Sequence, residues 1–207
     1  MTVVAGSLYI ISAPSGAGKT SLIKALLDVM TGIKVSVSHT TRTRRVGEVD
    51  GQDYHFIDKT DFESLLTQNQ FLEHAKVFDY YYGTSQQVVA DLLAGGTDVI
   101  LEIDWQGAQQ VRQHFDDVIG IFIMPPSKQE LAQRLRGRGQ DSDAIIQRRM
   151  SAAVNEMQHH EPFDYLVIND DFKQALLELQ WIVKAQRLQM KNQQQRHLLL
   201  LAELTEN

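Results

Sequence analysis

The chain has 207 residues, 43% of them apolar and 22% charged, which fits one domain or a core with small insertions and would cramp two full domains. It contains no cysteine, which excludes a disulfide framework, a thiolate metal site and a cysteine nucleophile. A formal net charge of −6 argues against general nucleic-acid binding, and no run nears the roughly 18 apolar residues of a membrane span.

Residues 1–11 carry no basic leader and run straight into a strand pattern, so a cytoplasmic location is expected. Residues 8–13 read as a buried strand, and 19–30 as a helix with apolar positions at Leu22, Ile23, Leu26 and Leu27. A second short strand covers 35–38, and 40–53 is a polar loop rich in Arg and Gly. A helix over 61–66, a strand over 71–78 and a helix over 86–93 follow, the last stopped by Gly95 and Gly96. Next come a strand over 99–103, a helix over 107–115 and a strand over 118–124 closed by Pro125 and Pro126. Ser127 caps a helix to about Arg136, with Glu130 completing a capping box.

After a break at 137–143, a helix over 144–159 and a strand over 165–169 lead to one C-terminal helix from Phe172 to about Leu204. On that helix, Gln193, Gln194 and Gln195 are expected to be solvated and 198–201 to form a packing face. A subunit contact, giving a homo-oligomer, is the alternative. Strands alternating with helices imply an α/β fold with a parallel sheet. Only 39–95 departs from that rhythm. It is expected to be a smaller lobe inserted into a core of 1–38 and 96–207.

The residues that carry chemistry begin at the first strand–helix junction. Ala13, Pro14, Ser15, Gly16, Ala17, Gly18, Lys19 and Thr20 follow the pattern G-x-x-x-x-G-K-[ST], with alanine for the first glycine. Such a P-loop turns backbone N–H groups and the positive end of a helix toward a triphosphate, and its lysine adds a mobile charge. Thr20 would offer its hydroxyl to Mg²⁺. Alanine at position 13 means that no glycine-only dihedral is needed there. Residues 99–104 form an apolar strand ending in carboxylates, and Asp104 is placed to hold Mg²⁺ through water. Without that neighbouring loop, Glu102 and Asp104 would read equally well as a strand end at solvent.

Two arginine clusters stand out in an acidic chain: Arg42, Arg44 and Arg45, then Arg134, Arg136, Arg138, Arg148 and Arg149. They suggest a small anionic ligand more than a polyanion. Gly137, Arg138, Gly139 and Gln140 break a basic helical stretch, and glycines around an arginine suggest a hinged lid, about 137–149, that delivers charge. His39, His74, His159 and His160 have no partners at metal-ligand spacing and read as surface or packing residues.

From Ser36 to Tyr54 the chain resembles guanylate kinase, closely the bacterial form. Further matches are Phe71-Leu72-Glu73-His74-Ala75, Tyr81-Tyr82-Gly83-Thr84, Glu102-Ile103-Asp104-Trp105-Gln106-Gly107 and Gly137-Arg138-Gly139. They run in order from the P-loop to the strand ending at Asn169, and only the P-loop is widely shared. The resemblance implies a P-loop NTPase-type fold with an inserted GMP-binding lobe. It further implies transfer of the terminal phosphoryl group of Mg-ATP to GMP or dGMP, in purine nucleotide metabolism.

By the same resemblance, Ser38, Arg42, Arg45, Tyr54, Glu73, Tyr82, Thr84 and Glu102 bind GMP, Asn169 contacts ATP on the adenine side, and Arg149 is the second lid arginine. Their chemistry agrees. Guanidinium forks suit a phosphate dianion, guanine N1–H and its amine need acceptors such as Glu73 and Glu102, and O6 needs a donor such as Ser38 or Thr84. Lys19, Arg138 and Arg149 would act on the transferred group. Bland readings stay open: Tyr54 and Tyr82 as aromatic packing, Tyr80 and Tyr81 as packing, Arg44 as a solvated neighbour, and Glu48 as a residue positioning Arg42 or Arg45. Two rivals remain: a kinase for AMP, CMP or UMP, which the Glu73/Glu102 pair opposes, and a non-catalytic module that binds phosphorylated peptides.

Overall fold

The computed structural model describes residues 4–77, 79–137 and 143–206. The first half of the chain runs β1 (Leu8–Ser12), α1 (Lys19–Val29), β2 (Ile33–Val35), β3 (His39–Thr40), β4 (His55–Phe56), α2 (Lys59–Thr67), β5 (Phe71–Val77), β6 (Tyr80–Ser85) and α3 (Gln86–Ala94). It continues with β7 (Asp98–Glu102), α4 (Trp105–Arg112), β8 (Ile119–Met124), α5 (Lys128–Arg136), α6 (Asp143–Gln158) and β9 (Tyr165–Ile168). The C-terminal helices are α7 (Phe172–Arg187), α8 (Met190–Arg196) and α9 (Leu198–Thr205).

Five strands form a parallel sheet in the order β2-β7-β1-β8-β9. The fold is α/β, as its strand–helix alternation predicts. Helices cover both sheet faces, so β1 is buried throughout rather than alternating. Its odd positions, Tyr9 and Ile11, face Leu22, Leu26 of α1 and Leu179, Val183 of α7. Leu8 and Ile10 face Val89 of α3 and Ala108, Val111 of α4. The chain reverses its direction of travel across the sheet at β1, with β7 on one side and β8 on the other. Ligands of such sheets bind beyond the carboxyl ends of the strands at that reversal, and residues 13–20 leave β1 there.

A second sheet, in the order β4-β3-β6-β5, is built entirely from the 39–95 stretch. Its β5–β6 and β3–β6 pairs are antiparallel. Phe62 of α2 is fully buried beneath it, stacked on Phe71 at 4.5 Å and Tyr81 at 5.3 Å between ring centroids. Gln110 of α4 ties this sheet to the core, accepting the His74 N–H at 3.0 Å and donating to the His74 carbonyl at 2.8 Å. Lys24 of α1 adds an exposed ion pair to Asp53 at 3.2 Å.

Several expectations need correction. The strand expected at 35–38 is Ile33–Val35, because after Ser36 N–H bonds Ile100 O the chain leaves for the second sheet at His39. The tyrosine-rich β6 was not anticipated. The single C-terminal helix is three. Gln189 is extended (φ −56°, ψ 143°), while Asn192 and Gln193 side chains take the α7 carbonyls of Gln186 and Arg187. The stretch 198–201 does not pack on the core: Leu198 is 62% and Leu199 82% exposed. No helix among the described residues is long and apolar enough to cross a membrane.

Candidate active site

The P-loop is shaped by what lies under it. Gly16 (φ 93°) and Gly18 (φ 96°) hold the left-handed conformation that other residues rarely adopt, whereas Ala13 has no positive φ. A Cβ on Gly18 would lie 2.3 Å from Asn169 Nδ2, so glycine is required there twice over. Gly18 is also the N-cap of α1 and supplies no capping side chain, which leaves the first-turn amides for an anion. Asn169, expected on the adenine side, is only 4% exposed and donates through Nδ2 to Ala17 O at 2.7 Å, which braces the loop. Pro14 O accepts the Ala17 N–H, closing the loop's turn.

At the mouth of the loop, Lys19 Nζ lies 3.5 Å from Ile103 O, and Thr20 Oγ1 donates to Glu102 Oε1 at 2.5 Å. Glu102, expected at the guanine edge with Glu73, therefore meets the threonine expected at the metal. Its charge also acts on Tyr54, whose hydroxyl is pushed up to about 12 chiefly by burial. Asp104 caps α4, its Oδ1 accepting the N–H groups of Gln106 at 3.0 Å and Gly107 at 2.9 Å. One of its two oxygens is thus occupied by the helix. Thr20, Glu102 and Asp104 together offer hard oxygens, the donor type Mg²⁺ takes, and they sit beside a loop built for phosphates. Among the described residues no three His, Cys, Asp or Glu side chains converge as a complete cage. Mg²⁺ usually keeps several waters and phosphate oxygens, so a partial set suits it.

The second sheet assembles a polar row. Glu73 on β5 sits opposite Thr84 on β6, and Thr84 Oγ1 donates to Glu73 Oε1 at 2.5 Å. Ser38 Oγ lies 3.2 Å from Thr84 Oγ1, extending the row to three residues. Glu73 is 3% exposed, and burial pushes its carboxyl up to about 7. Asp104's charge adds to that rise, while Thr84's hydrogen bonds and the Lys19 charge oppose it. A Cβ on Gly107 would lie 2.6 Å from Glu73 Oε2, so only glycine lets the start of α4 approach the carboxylate.

Arg42 is held ready beside this row. Buried to 8% exposure, it donates through Nη2 to Glu48 Oε1 at 2.6 Å and through Nη1 to Thr43 O at 2.8 Å. Its guanidinium lies over Tyr54 and Phe56, at 5.5 and 5.7 Å from the ring centroids. Burial disfavours its charge, but Glu48's hydrogen bond and charge outweigh that and hold the pKa above its usual value. Glu48 Oε2 also accepts the Arg45 N–H at 2.7 Å, so the positioning reading of Glu48 applies to both arginines. Tyr54 and Tyr82 meet edge to face at 5.9 Å. Arg44 and Arg45 are exposed. Tyr81 packs on Phe62, but Tyr80, expected to pack, is 39% exposed.

Of the expected lid residues, Arg138, Gly139 and Gln140 lie outside the described residues, whereas Arg149 reaches the loop and donates through Nη2 to Ser15 Oγ at 2.9 Å. Sequence reasoning missed Glu156 of α6, whose Oε2 accepts the Ser15 N–H at 3.1 Å. It also missed the stack of His159 on Trp105 at 3.7 Å, and Gln110. Of these, only Trp105 belongs to a motif. Seven-residue spacing of Arg149 and Glu156 on one helix face was the one available signal.

A family model for guanylate kinase matches residues 5–186. The chain belongs to the guanylate kinase family. It is 54% identical to the guanylate kinase of Photorhabdus laumondii over 204 residues, 98% of this chain and 99% of that protein. It is also 54% identical to the guanylate kinase of Escherichia coli K12, over 96% of this chain and 97% of the relative. Among solved structures it resembles the crystal structure of guanylate kinase from Anaplasma phagocytophilum, with a TM-score of 0.75 at 33% identity, covering 90% of this chain and 89% of that one.

Proposed function

We propose that this chain transfers the terminal phosphoryl group of Mg-ATP to GMP or dGMP in the cytoplasm, the 13–20 loop holding the donor and the 39–95 lobe the acceptor. The observation that carries this reading is Glu73. It belongs to the lobe, yet it is buried against the start of α4 and feels the charges of Lys19 and Asp104 beside the loop. Donor and acceptor sites so close suit direct transfer between two nucleotides.

The loop amides and Lys19 hold the donor's phosphates. Thr20, with Glu102 and Asp104, would hold Mg²⁺, which would supply positive charge to offset that of the donor phosphates. Arg42, already oriented by Glu48, and Arg45 bracket the acceptor phosphate, with the Tyr54 and Tyr82 hydroxyls as further donors. Ionised Glu73 accepts from guanine N1–H and the amine, and Thr84 and Ser38 supply the hydroxyl for O6. An acceptor phosphate oxygen attacks the γ-phosphorus as the bond to the β-phosphate oxygen breaks, giving ADP and GDP. That nucleophile is already an anion and needs no strong base, so Lys19, Arg149 and Arg138 stabilise charge on the transferred group. Adenine presents the opposite pattern at its ring edge and would leave Glu73 unpaired.

A coupled assay for ADP tests this. GMP should stimulate ADP formation by the folded enzyme strongly, and dGMP likewise. No stimulation by either would reject the reading.

A further inference from the structure

Helix α6 touches Ser15 twice. Arg149 donates to its hydroxyl, and Glu156 accepts its backbone N–H. The two are seven residues apart, two turns or roughly 10 Å along one face. The Ser15 amide is one of the loop donors that a triphosphate needs, and one N–H cannot fully serve a carboxylate and a phosphate oxygen at once. Lys19 lies close enough for its charge to act on Glu156, as it would on a phosphate. Glu156 thus occupies the position of an anion in the loop. Just past the end of α6, His159 lies flat on Trp105 at the start of α4, the planes 12° apart. Any shift of α6 relative to the loop and α4 must disturb that stack.

We infer that Glu156 is a positioning residue that stands in for a donor phosphate: without ATP its carboxylate occupies the Ser15 amide and seats α6 on the loop, and the triphosphate displaces it. The inference rests on the 13–20 loop being the ATP site. A carboxylate beside a polyanion is repelled, and the amide it held goes to the phosphate. Arg149 rides on the same helix, so displacing Glu156 relocates Arg149. Arrival of the donor and placement of the arginine become one event, and the free loop keeps its shape with an internal anion in place.

The test uses the full chain with Trp181→Phe, which removes an exposed α7 tryptophan and leaves Trp105 as the single indole. ATP without GMP should change Trp105 emission as the His159 stack is disturbed. Glu156→Gln and Glu156→Ala should bind ATP at least about threefold more tightly by calorimetry, because no carboxylate competes for the amide. The free Glu156→Ala enzyme should already emit like the ATP-saturated parent. Adenosine, which has no phosphate, should bind parent and variants alike. Tm and circular dichroism establish that each variant is folded. Unchanged or weaker ATP binding in both folded variants overturns the inference. Tighter ATP binding with the free Glu156→Ala emission still like that of the free parent also overturns it, since that is a charge effect without seating of α6. A parent that binds no ATP would reject the donor-site reading itself, and this inference with it.

Discussion

The 13–20 loop and the 39–95 lobe are built from different materials. The loop after β1 is a backbone site: its donors are amides, its shape comes from Gly16 and Gly18 at positive φ, and Lys19 is its one long cationic reach. The lobe is a side-chain site, where Thr84 bonds Glu73 and, at the lobe's border, Ser38, and where Arg42 separately bonds Glu48, at 2.5–3.2 Å. A backbone site recognises phosphate, which every nucleotide has. A network of side chains can present acceptors and donors in one order, which is what a particular base requires. With the sites as proposed, the contrast means that generic binding and selectivity lie in separate parts of this fold and can be damaged separately.

The sharpest way to break the comparison is to remove the lobe's support. Phe62→Ala deletes a fully buried ring between Phe71 and Tyr81, at a cost of about 3–5 kcal/mol. The loss should fall on the lobe, so GMP binding should fail at a denaturant concentration that leaves ATP binding intact. Simultaneous loss of both would show that the two sheets unfold as one.

Lys19→Met attacks the other side. It should lower kcat by roughly 10²–10³-fold, about 2.7–4 kcal/mol, and leave the GMP affinity measured by calorimetry unchanged. Arg42→Ala should do the reverse, raising KM for GMP by roughly 10–100-fold with ATP binding kept, since charge-assisted hydrogen bonds contribute about 1.5–3 kcal/mol. Equal loss of both ligands would contradict the division. Arg42→Lys should rescue little, because an ammonium cannot reproduce the fork held by Glu48 and Thr43.

The smallest effect is the dependence on pH. Burial raises Glu73 to about 7 from 4.5, so the native state keeps a proton that the unfolded chain has released between those values. This group's contribution to stability is therefore present below about 4.5 and declines as pH rises through the window to about 7. Guanine binding runs the other way, because only the ionised carboxylate accepts from N1–H. KM for GMP should rise as pH falls below about 7, approaching tenfold per unit, and Glu73→Gln should flatten that limb. A profile that is identical in both enzymes would count against Glu73 as the titrating acceptor.

The core was more legible in the sequence than the lobe. Strands β1, β7 and β8 are buried on both faces, so they read as apolar runs, and α5 begins where Ser127 caps it, accepting the Glu130 N–H at 3.0 Å. In the lobe, β3 and β4 have two residues each, too short for any period, and β6 is mostly tyrosine, glycine and threonine. The break after α7 carries no glycine or proline; the Asn192 and Gln193 side chains satisfy its last carbonyls instead. Arg42, Glu73 and Thr84 were nameable from their motifs, but the Thr84–Glu73 bond depends on strand register. Glu156 and Asn169 were invisible as loop contacts because each acts across 141 and 152 residues of chain.

The central claim is that the lobe's side chains choose the acceptor, and the ratio of kcat/KM for GMP to that for AMP measures it directly. The wild-type enzyme should favour GMP by a factor on the order of 10⁴, and Glu73→Gln should shrink that ratio by lowering the GMP term while ATP binding is retained. AMP, CMP or UMP serving as well as GMP, or a ratio that survives the loss of Glu73, would contradict the account.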